Sequence, residues 1–244
     1  MSVKQVIRRV LNLLHLDVTK NLAYDRLTKA ILKKVVSEES NCIDVGCHKG
    51  EILDLILAES PKGQHFAFEP IPFFYHRLKE KYSGNVRIFP FALSEKSGKT
   101  SFNFVKNAPA YSGIKERKYQ TENPDIEKID VELKPLDEVI SSNIKIDFIK
   151  IDVEGGEFDV LRGAKRILRD DKPILLFESG LGASEYYGTT PDSLFDFLEE
   201  FGYSLFTLKN FAKNASPLTA SAFKTIYETN AEYYFVAENR VKKQ

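Results

Sequence analysis

One stretch in the middle of the chain constrains the fold more than any other. Residues 146–151 (IDFIKI) are mostly β-branched or aromatic, which is typical of a strand buried on both faces of a sheet. The strand runs into Asp152 and Glu154 and then a glycine pair, and apolar residues recur at close to helical spacing over residues 158–168. A buried strand that delivers carboxylates just before a glycine turn and a helix predicts a ligand site at the carboxyl edge of an α/β sheet.

Two further acids, Glu157 and Asp159, lie in the first turn of the helix that follows. Acidic side chains there stabilise the positive end of the helix dipole, and we favour that structural role for both. Asp152 lies at the strand tip itself, so it is the stronger functional candidate.

Strands and helices alternate along most of the chain. We predict core strands at residues 41–45, 65–68, 86–93, 146–151, 173–177, 203–208 and 233–237. Helices are predicted at residues 49–58, 73–82 and 193–201, and from the glycine pair to about residue 169. This alternation is typical of βαβ units with right-handed crossovers. The predicted fold is α/β, with a doubly wound, mostly parallel seven-stranded sheet.

Two segments stand outside this rhythm. Residues 1–40 carry predicted helices at 1–17 and 24–36, which would pack on the core or on a partner and could join two copies in a homodimer. The first has an apolar side opposite several basic residues, which leaves an anionic membrane surface as an alternative. Residues 41–240 form the predicted main domain, with a β insertion at about 98–135 between the third and fourth core strands.

The composition argues against several classes of function. Lysine plus arginine and aspartate plus glutamate number 35 each, so the net charge gives no case for a nucleic-acid partner. No apolar stretch approaches the ~20 residues that span a bilayer, and no signal-peptide pattern opens the chain. Cys42 and Cys47 flank one short strand and cannot form a disulfide framework. We therefore expect a cytoplasmic protein without a transmembrane segment.

A glycine loop follows the first core strand. The strand ends in Asp44, and Gly46 and Gly50 follow in the pattern D-x-G-x-x-x-G. Glycines let the backbone turn tightly and approach a ligand, and Asp44 can accept hydrogen bonds from a cationic amino group. The pattern lacks the G-x-G-x-x-G spacing that places a pyrophosphate on a helix N-terminus. A nicotinamide-dependent oxidoreductase on the same sheet is therefore the weaker alternative.

The tips of the next two strands complete a nucleoside-binding pattern. Glu69 ends the second strand, nineteen positions after Gly50, where an acid suits bidentate binding of ribose hydroxyls. A solvated acid in a strand-to-helix turn is the alternative. Ala92 lies in the FALS motif at the end of the third strand, which would supply an apolar slot for adenine. A loop for an amino-acid end, an acid for ribose and a slot for adenine together predict S-adenosylmethionine as the cofactor.

Five motifs resemble the FkbM family of S-adenosylmethionine-dependent methyltransferases: DVGCHKG, FEPIP, FALS, PLDEV and IKIDVEGGEFDVLRGA, over about residues 41–180. The resemblance implies a class I methyltransferase (Rossmann-like) fold and methylation of hydroxyl oxygens on sugars, glycans or polyketides. The product of the cofactor would be S-adenosylhomocysteine. The resemblance implies cofactor contacts at Asp44, Gly46, Gly50, Glu69, Ala92 and Asp152.

Methyl transfer to a hydroxyl depends on alignment more than on a base. Positioning supplies about 7–11 kcal/mol of the barrier, whereas a general base contributes roughly 10²–10⁴-fold, about 3–5 kcal/mol. The candidate bases are Asp152, Glu154, Glu178 and His48. The three acids could instead hold Mg²⁺, which favours oxygen ligands, but we favour a site without a metal. The histidines and cysteines show no zinc-ligand spacing.

Acceptor contacts are predicted in two segments that interrupt the alternation. Residues 106–128 carry Tyr111, Lys115 and Arg117 with little periodicity, and a loop of this length in a compact domain is typically a lid or a binding loop. Its basic side chains could meet the phosphates of a nucleotide-linked sugar, although a solvated charged loop is at least as plausible. Tyr186 lies in the second such segment, directly after the fifth strand.

Together these patterns predict an S-adenosylmethionine-dependent O-methyltransferase that acts on a sugar, either nucleotide-linked or a surface-glycan unit. A binding module that keeps the methyltransferase fold without turnover is the non-enzymatic alternative.

Overall fold

The computed structural model describes residues 20–119 and 121–240. Its strands, in chain order, are β1 (Cys42–Val45), β2 (His65–Phe68), β3 (Val86–Phe89), β4 (Ala92–Leu93), β5 (Gly98–Val105), β6 (Ile126–Lys134), β7 (Phe148–Ile151), β8 (Ile174–Glu178), β9 (Tyr203–Thr207) and β10 (Tyr234–Asn239). Its helices are α1 (Lys20–Val35), α2 (Glu51–Glu59), α3 (Pro72–Lys81), α4 (Leu136–Val139), α5 (Glu157–Arg162), α6 (Lys165–Asp170), α7 (Pro191–Glu200), α8 (Leu208–Ala212) and α9 (Ala220–Thr229).

Within the described part of the chain, seven strands form the main sheet in the order β3-β2-β1-β7-β8-β10-β9. The strands from β3 to β8 are parallel, and β10 runs antiparallel to both β8 and β9. This confirms the predicted doubly wound, mostly parallel sheet. The strand order reverses between β1 and β7, and in open α/β sheets ligands bind beyond the carboxyl ends of the strands at that point.

Helices cover both faces of the sheet because the central strands are apolar on both sides. Every residue of β1 and β7 is buried. Ile43 and Ile149 pack in the cluster that includes α5, α6, α7 and α9, whereas Cys42 and Phe148 pack in the cluster with α1 and α8. The tips of these two strands are therefore held firmly in place.

The prediction of a single third strand over residues 86–93 is wrong. β3 stays in the main sheet, whereas β4 pairs with β6 in a second sheet of order β4-β6-β5. Pro90 lies at the break, and because it lacks a backbone N–H it cannot continue a central hydrogen-bonded ladder. Ala92 therefore belongs to the inserted sheet, beside the carboxyl edge of the main one.

The helix predicted from the glycine pair to residue 169 is in fact two helices, α5 and α6, with Gly163 between them. A Cβ on Gly163 would lie 2.2 Å from the carbonyl oxygen of Ser94, so the close approach of the two segments requires glycine. The sequence pattern also does not predict α9, which buries Phe223 and Tyr227 in the core.

The first described helix, α1, packs on its own domain. Ile31 and Leu32 are fully buried against residues of α8 and the neighbouring strands, and Lys34 Nζ donates to the carbonyl of Phe211 at 2.9 Å. The helix predicted at residues 1–17 lies outside the described residues, so that helix and the homodimer stay predictions. In the residues that the structure describes, no helix combines the length and apolar character needed to cross a bilayer.

Candidate active site

Two cavities meet at the carboxyl edge of the sheet, beside the tips of β1 and β7. The smaller has a volume of about 150 Å³ and the larger about 610 Å³. The two cavities share Ala110, Asp152 and Glu154 in their walls. Molecules bound in the two cavities would therefore be neighbours beside these carboxylates.

The glycine loop forms one wall of the smaller cavity, through Gly46 and His48 but not through Gly50. Gly46 has φ +72°, and a Cβ there would lie 1.9 Å from the carbonyl oxygen of Asp152. Gly46 therefore brings the loops after β1 and β7 into close contact, and it lines the cavity. Gly50 opens α2 and faces α3, where a Cβ would lie 2.4 Å from the hydroxyl of Tyr82. The structure does not bring Gly50 to either cavity.

Glu69 lies in the wall of the smaller cavity at the tip of β2. Its side chain is held by two backbone donors, His48 N–H at 2.8 Å and Ile71 N–H at 2.9 Å. Burial raises the pKa of Glu69 to about 7, although both hydrogen bonds oppose this rise. The carboxylate is thus fixed in position, and its protonation changes near neutral pH.

The remaining wall of the smaller cavity is largely apolar. Ala92, which was predicted beside adenine, is part of it. Its apolar neighbours in this wall are Val45, Phe68, Ile71, Phe91, Leu93, Phe102, Ile114 and Val153. An apolar slot next to a fixed carboxylate is an arrangement that suits a nucleoside.

Asp44 does not reach the cavity where the sequence places it. It is fully buried behind the cavity wall, with Oδ1 3.2 Å from Lys150 Nζ. Lys150 also donates to the carbonyls of Val45 at 3.2 Å and Gly46 at 2.9 Å, and it lies 3.8 Å from Asp152 Oδ2. Burial raises the pKa of Asp44, and Lys150 counteracts that rise. The ion pair therefore holds the glycine loop in place through the hydrogen bonds from Lys150 to its backbone.

His48 lines the smaller cavity and packs on Phe74, with 4.3 Å between the ring centroids. Burial lowers the pKa of His48 to about 4. The ring is therefore neutral at physiological pH, and it is a weak proton acceptor there.

Three carboxylates gather where the cavities meet, and we call Asp152, Glu154 and Glu178 the acid cluster. One oxygen from each lies within 4.8 Å of the others. Burial, and then repulsion from Asp152, raises the pKa of Glu154 to about 8 and that of Glu178 well above its ordinary value. Neighbouring Glu157 has a structural role, because it accepts from the N–H groups of Val153 and Gly155. The cluster can therefore accept and share protons near neutral pH.

Three tyrosines near the acid cluster were not predicted as site residues. Tyr24, Tyr233 and Tyr234 line the larger cavity, with ring centroids 4.7–5.7 Å apart. The hydroxyl of Tyr234 donates to Asp152 Oδ2 at 2.5 Å. A sequence argument could have found Tyr234. If the last core strand is paired with the fifth in the observed register, Tyr234 lies directly opposite the predicted site residue Glu178.

The long loop after β5 is folded over the site. Tyr111 and Arg117 line the larger cavity, whereas Lys115 is exposed and lines neither cavity. Arg117 forms an ion pair with Glu154 and donates to the carbonyl of Gly182 at 3.1 Å. These contacts fix the loop over the site, and we call this loop the lid.

The segment after β8, which carries Tyr186 and Tyr187, also holds the lid in place. The hydroxyl of Tyr187 accepts from the N–H groups of Ile114 at 3.1 Å and Lys115 at 3.2 Å. The predicted acceptor contact Tyr186 is 42% exposed and accepts from the N–H of Lys118 at 3.3 Å, outside both cavities. Tyr186 therefore contacts the lid, and its neighbour Tyr187 lines the smaller cavity.

The arrangement fits the cofactor that the sequence predicts. The smaller cavity offers a fixed acid and an apolar slot, and the acid cluster at its end suits a positively charged sulfur or ammonium group. The same three carboxylates could by geometry hold a hard cation such as Mg²⁺.

Comparison with known proteins identifies relatives of this chain. Residues 44–205 match the family model described as the methyltransferase FkbM domain. The 2-O-methyltransferase NoeI of Sinorhizobium fredii is 30% identical over 165 residues, which cover 62% of this chain and 66% of that protein. The methyltransferase sdnD of Sordaria araneosa is 26% identical over 152 residues, 50% of this chain and 59% of that protein. The chain thus spans about two thirds or less of the length of these relatives.

A crystal structure of a methyltransferase FkbM from Methylobacillus flagellatus KT has a similar fold. It is 15% identical with a TM-score of 0.50, and the match covers 82% of this chain and 44% of that one. At this level of identity the likeness concerns the fold alone. The family model, however, spans well over half of the sequence. The chain belongs to the FkbM methyltransferase family.

Proposed function

We propose that the protein is an S-adenosylmethionine-dependent O-methyltransferase whose acceptor is a hydroxyl group of a sugar. The observation that supports this most is the meeting of two cavities, one of nucleoside type, at Asp152 and Glu154. Membership of the family supports methyl transfer. The name of the relative NoeI, a 2-O-methyltransferase, supports oxygen as the acceptor atom.

The smaller cavity is the proposed cofactor site. Glu69 would bind the ribose hydroxyls, the slot around Ala92 would hold adenine, and the amino-acid end would lie between Gly46 and Asp152. When bound there, S-adenosylmethionine supplies a methyl group on a positively charged sulfur. Asp44 contributes indirectly, by anchoring Lys150 under the glycine loop.

The chain itself contributes position and exclusion of water. Arg117 and Tyr187 hold the lid across both cavities. An aligned and enclosed acceptor can gain about 7–11 kcal/mol from positioning alone. The lid is therefore expected to contribute more to the rate than any single base.

The acid cluster is the proposed proton acceptor. A base is most effective when its pKa lies near the working pH, and the pKa of Glu154 is raised to about 8. His48, with a pKa of about 4, is the weaker of the predicted candidates. Asp152 lies at the junction of the cavities, where it would orient the acceptor hydroxyl while the cluster takes up the proton.

The charges of the larger cavity favour an uncharged sugar unit over a nucleotide-linked one. Its lining carries the acid cluster with Asp25, Glu51 and Glu157, against Arg117, Lys118 and Lys150. Even with Glu154, Glu157 and Glu178 protonated, the formal charges only balance. A diphosphate entering this cavity would find no excess of positive charge, so we propose a glycan unit as the acceptor.

Calorimetry with S-adenosylmethionine and S-adenosylhomocysteine tests the cofactor, and release of S-adenosylhomocysteine in a panel of acceptors tests the reaction. We expect micromolar binding of both, and turnover with neutral saccharides rather than with nucleoside diphosphate sugars. Absence of binding to either cofactor form would contradict the proposal. Binding without turnover across the whole panel would favour a binding module.

A further inference from the structure

The hydroxyl of Tyr234 is a partly buried polar group that the proposed reaction does not yet use. Tyr234 begins β10, outside the segment that matches the family model. Because β10 pairs antiparallel with β8 and places Tyr234 opposite Glu178, both side chains project from the same face of the sheet. The hydroxyl reaches across to Asp152 on β7's tip and donates to Oδ2 at 2.5 Å.

The surroundings of Tyr234 keep it in this position as a donor. Its ring contacts Tyr24 and Tyr233, with centroid distances of 5.3 and 5.7 Å. Tyr24 is itself fixed by a hydrogen bond to Glu232 and by the N–H of Tyr233. Burial, and then the nearby carboxylates, raises the pKa of Tyr234 well above its ordinary value, so the hydroxyl keeps its proton at any working pH.

Two groups from different strands, β7 and β10, lie near the same oxygen of Asp152. Tyr234 donates to Oδ2, and Lys150 Nζ lies 3.8 Å from that oxygen. The orientation of the carboxylate is therefore set by the protein before any acceptor arrives. A carboxylate that is already oriented loses little conformational entropy when it binds a hydroxyl, and catalysis by positioning depends on this saving.

We propose that Tyr234 is a positioning residue for methyl transfer, holding the Asp152 carboxylate where the two cavities meet. This inference rests on the proposed function. It assigns a role to a strand beyond the matched family segment, and it predicts that Tyr234 affects the rate of transfer rather than the binding of either ligand.

The test compares Tyr234→Phe with Tyr203→Phe. Tyr203 is buried and Tyr234 is partly buried. The hydroxyl of Tyr203 donates to the carbonyl of Pro173 at 3.1 Å, away from both cavities. For Tyr234→Phe we expect kcat to fall about tenfold or more, as loss of a hydrogen bond to a charged group would produce. The acceptor KM and the Kd of S-adenosylhomocysteine should stay within threefold, and Tyr203→Phe should keep the kcat of the native protein.

A second readout does not depend on turnover. The Tyr234→Phe change is made in the native protein and in Asp152→Ala, and urea unfolding is measured in each. The hydroxyl should change the unfolding equilibrium constant about tenfold with Asp152 present and less than twofold without it. An equal effect in both backgrounds would overturn the inference, as would a kcat within twofold of the native value. If the native protein neither binds S-adenosylhomocysteine nor transfers a methyl group, the proposed function fails instead.

Discussion

Replacing Lys150 with methionine removes the buried cation that holds Asp44 and the glycine loop together beneath the site. Lys150 is 5% exposed, and its Nζ lies 3.2 Å from Asp44 Oδ1 and 2.9 Å from the carbonyl of Gly46. Methionine keeps an unbranched, flexible stem that can fill the same space. The substitution therefore removes the positive charge and the hydrogen-bond donor group of Lys150 while leaving most of the packing in place.

The loss of stability follows from these contacts. Removing one partner of a buried ion pair costs about 3–5 kcal/mol, and leaving the Gly46 carbonyl without its donor adds about 1 kcal/mol. The carbonyl of Val45 is less affected, because it also accepts from the Asp152 N–H at 3.1 Å. Protonation of Asp44 relieves part of the penalty. We expect Lys150→Met to lose about 4 kcal/mol at pH 8, a large part of the ~5–15 kcal/mol that stabilises a typical domain.

The sign of the pH dependence follows from Asp44. Burial raises the pKa of folded Asp44, and removal of Lys150 takes away the group that opposes this rise. In the unfolded chain the pKa is about 3.9. The stability contributed by protonated Asp44 is fully present below that value and is lost as the pH rises toward the folded pKa. The deficit of Lys150→Met relative to the native protein should therefore grow from pH 5 to pH 8.

Urea unfolding followed by circular dichroism measures both effects. The matched control is Lys145→Met, since Lys145 forms an exposed ion pair with Asp147 at 2.9 Å and should cost less than about 1 kcal/mol. The double variant Asp44→Asn/Lys150→Met should be more stable than Lys150→Met alone, because it leaves no buried charge. A loss below about 1 kcal/mol at pH 8, or a double variant as unstable as the sum of its parts, would refute the reasoning.

Three further predictions concern the walls of the site. Gly46→Ala should destabilise by well over the ~1–2 kcal/mol expected for Gly84→Ala, since both glycines have positive φ but only at Gly46 would the Cβ meet backbone, 1.9 Å from Asp152 O; equal losses in urea unfolding would contradict the close contact. Arg117→Gln should speed proteolytic cleavage of the lid several-fold, whereas Lys118→Gln should not, because only Arg117 pairs with Glu154; unchanged cleavage would show that the ion pair does not hold the lid. Treatment with EDTA should leave methyl transfer within twofold, because protons and Arg117 already offset charge in the acid cluster; a loss restored by Mg²⁺ would make the cluster a metal site.

The sequence predicts the parts of the fold that depend on local pattern. The buried strand over residues 146–151 and the alternation around it are enough to predict a doubly wound, mostly parallel sheet. The strand order, with β10 antiparallel between β8 and β9, is known only from the structure. The errors lie where tertiary contacts override pattern. Pro90 bends the chain into a second sheet, and Gly163 divides a helix because the backbone of Ser94 passes too close.

The candidate site divides in the same way. Residues at the tips of parallel strands, such as Glu69 and Asp152, reach the cavities because strand register alone puts them there. Asp44 also lies near the end of a strand, but its side chain pairs with Lys150 beneath the loop, a contact between neighbouring strands that no local motif encodes. Tyr24 and Tyr234 come from opposite ends of the chain, so only the folded structure brings them together.

The most direct measurement of the central claim is calorimetric titration of S-adenosylhomocysteine into the native protein, Glu69→Gln and the exposed control Glu200→Gln at pH 6 and pH 8. With a pKa of about 7, Glu69 is about tenfold more ionised at pH 8. We predict one site per chain whose affinity rises about tenfold from pH 6 to pH 8 in the native protein and in Glu200→Gln, since the ionised carboxylate accepts the ribose hydroxyls. In Glu69→Gln binding should be weaker and should rise less with pH, because only the acid cluster then titrates beside the ligand. No binding, or equal affinity in Glu69→Gln and the native protein, would contradict the account.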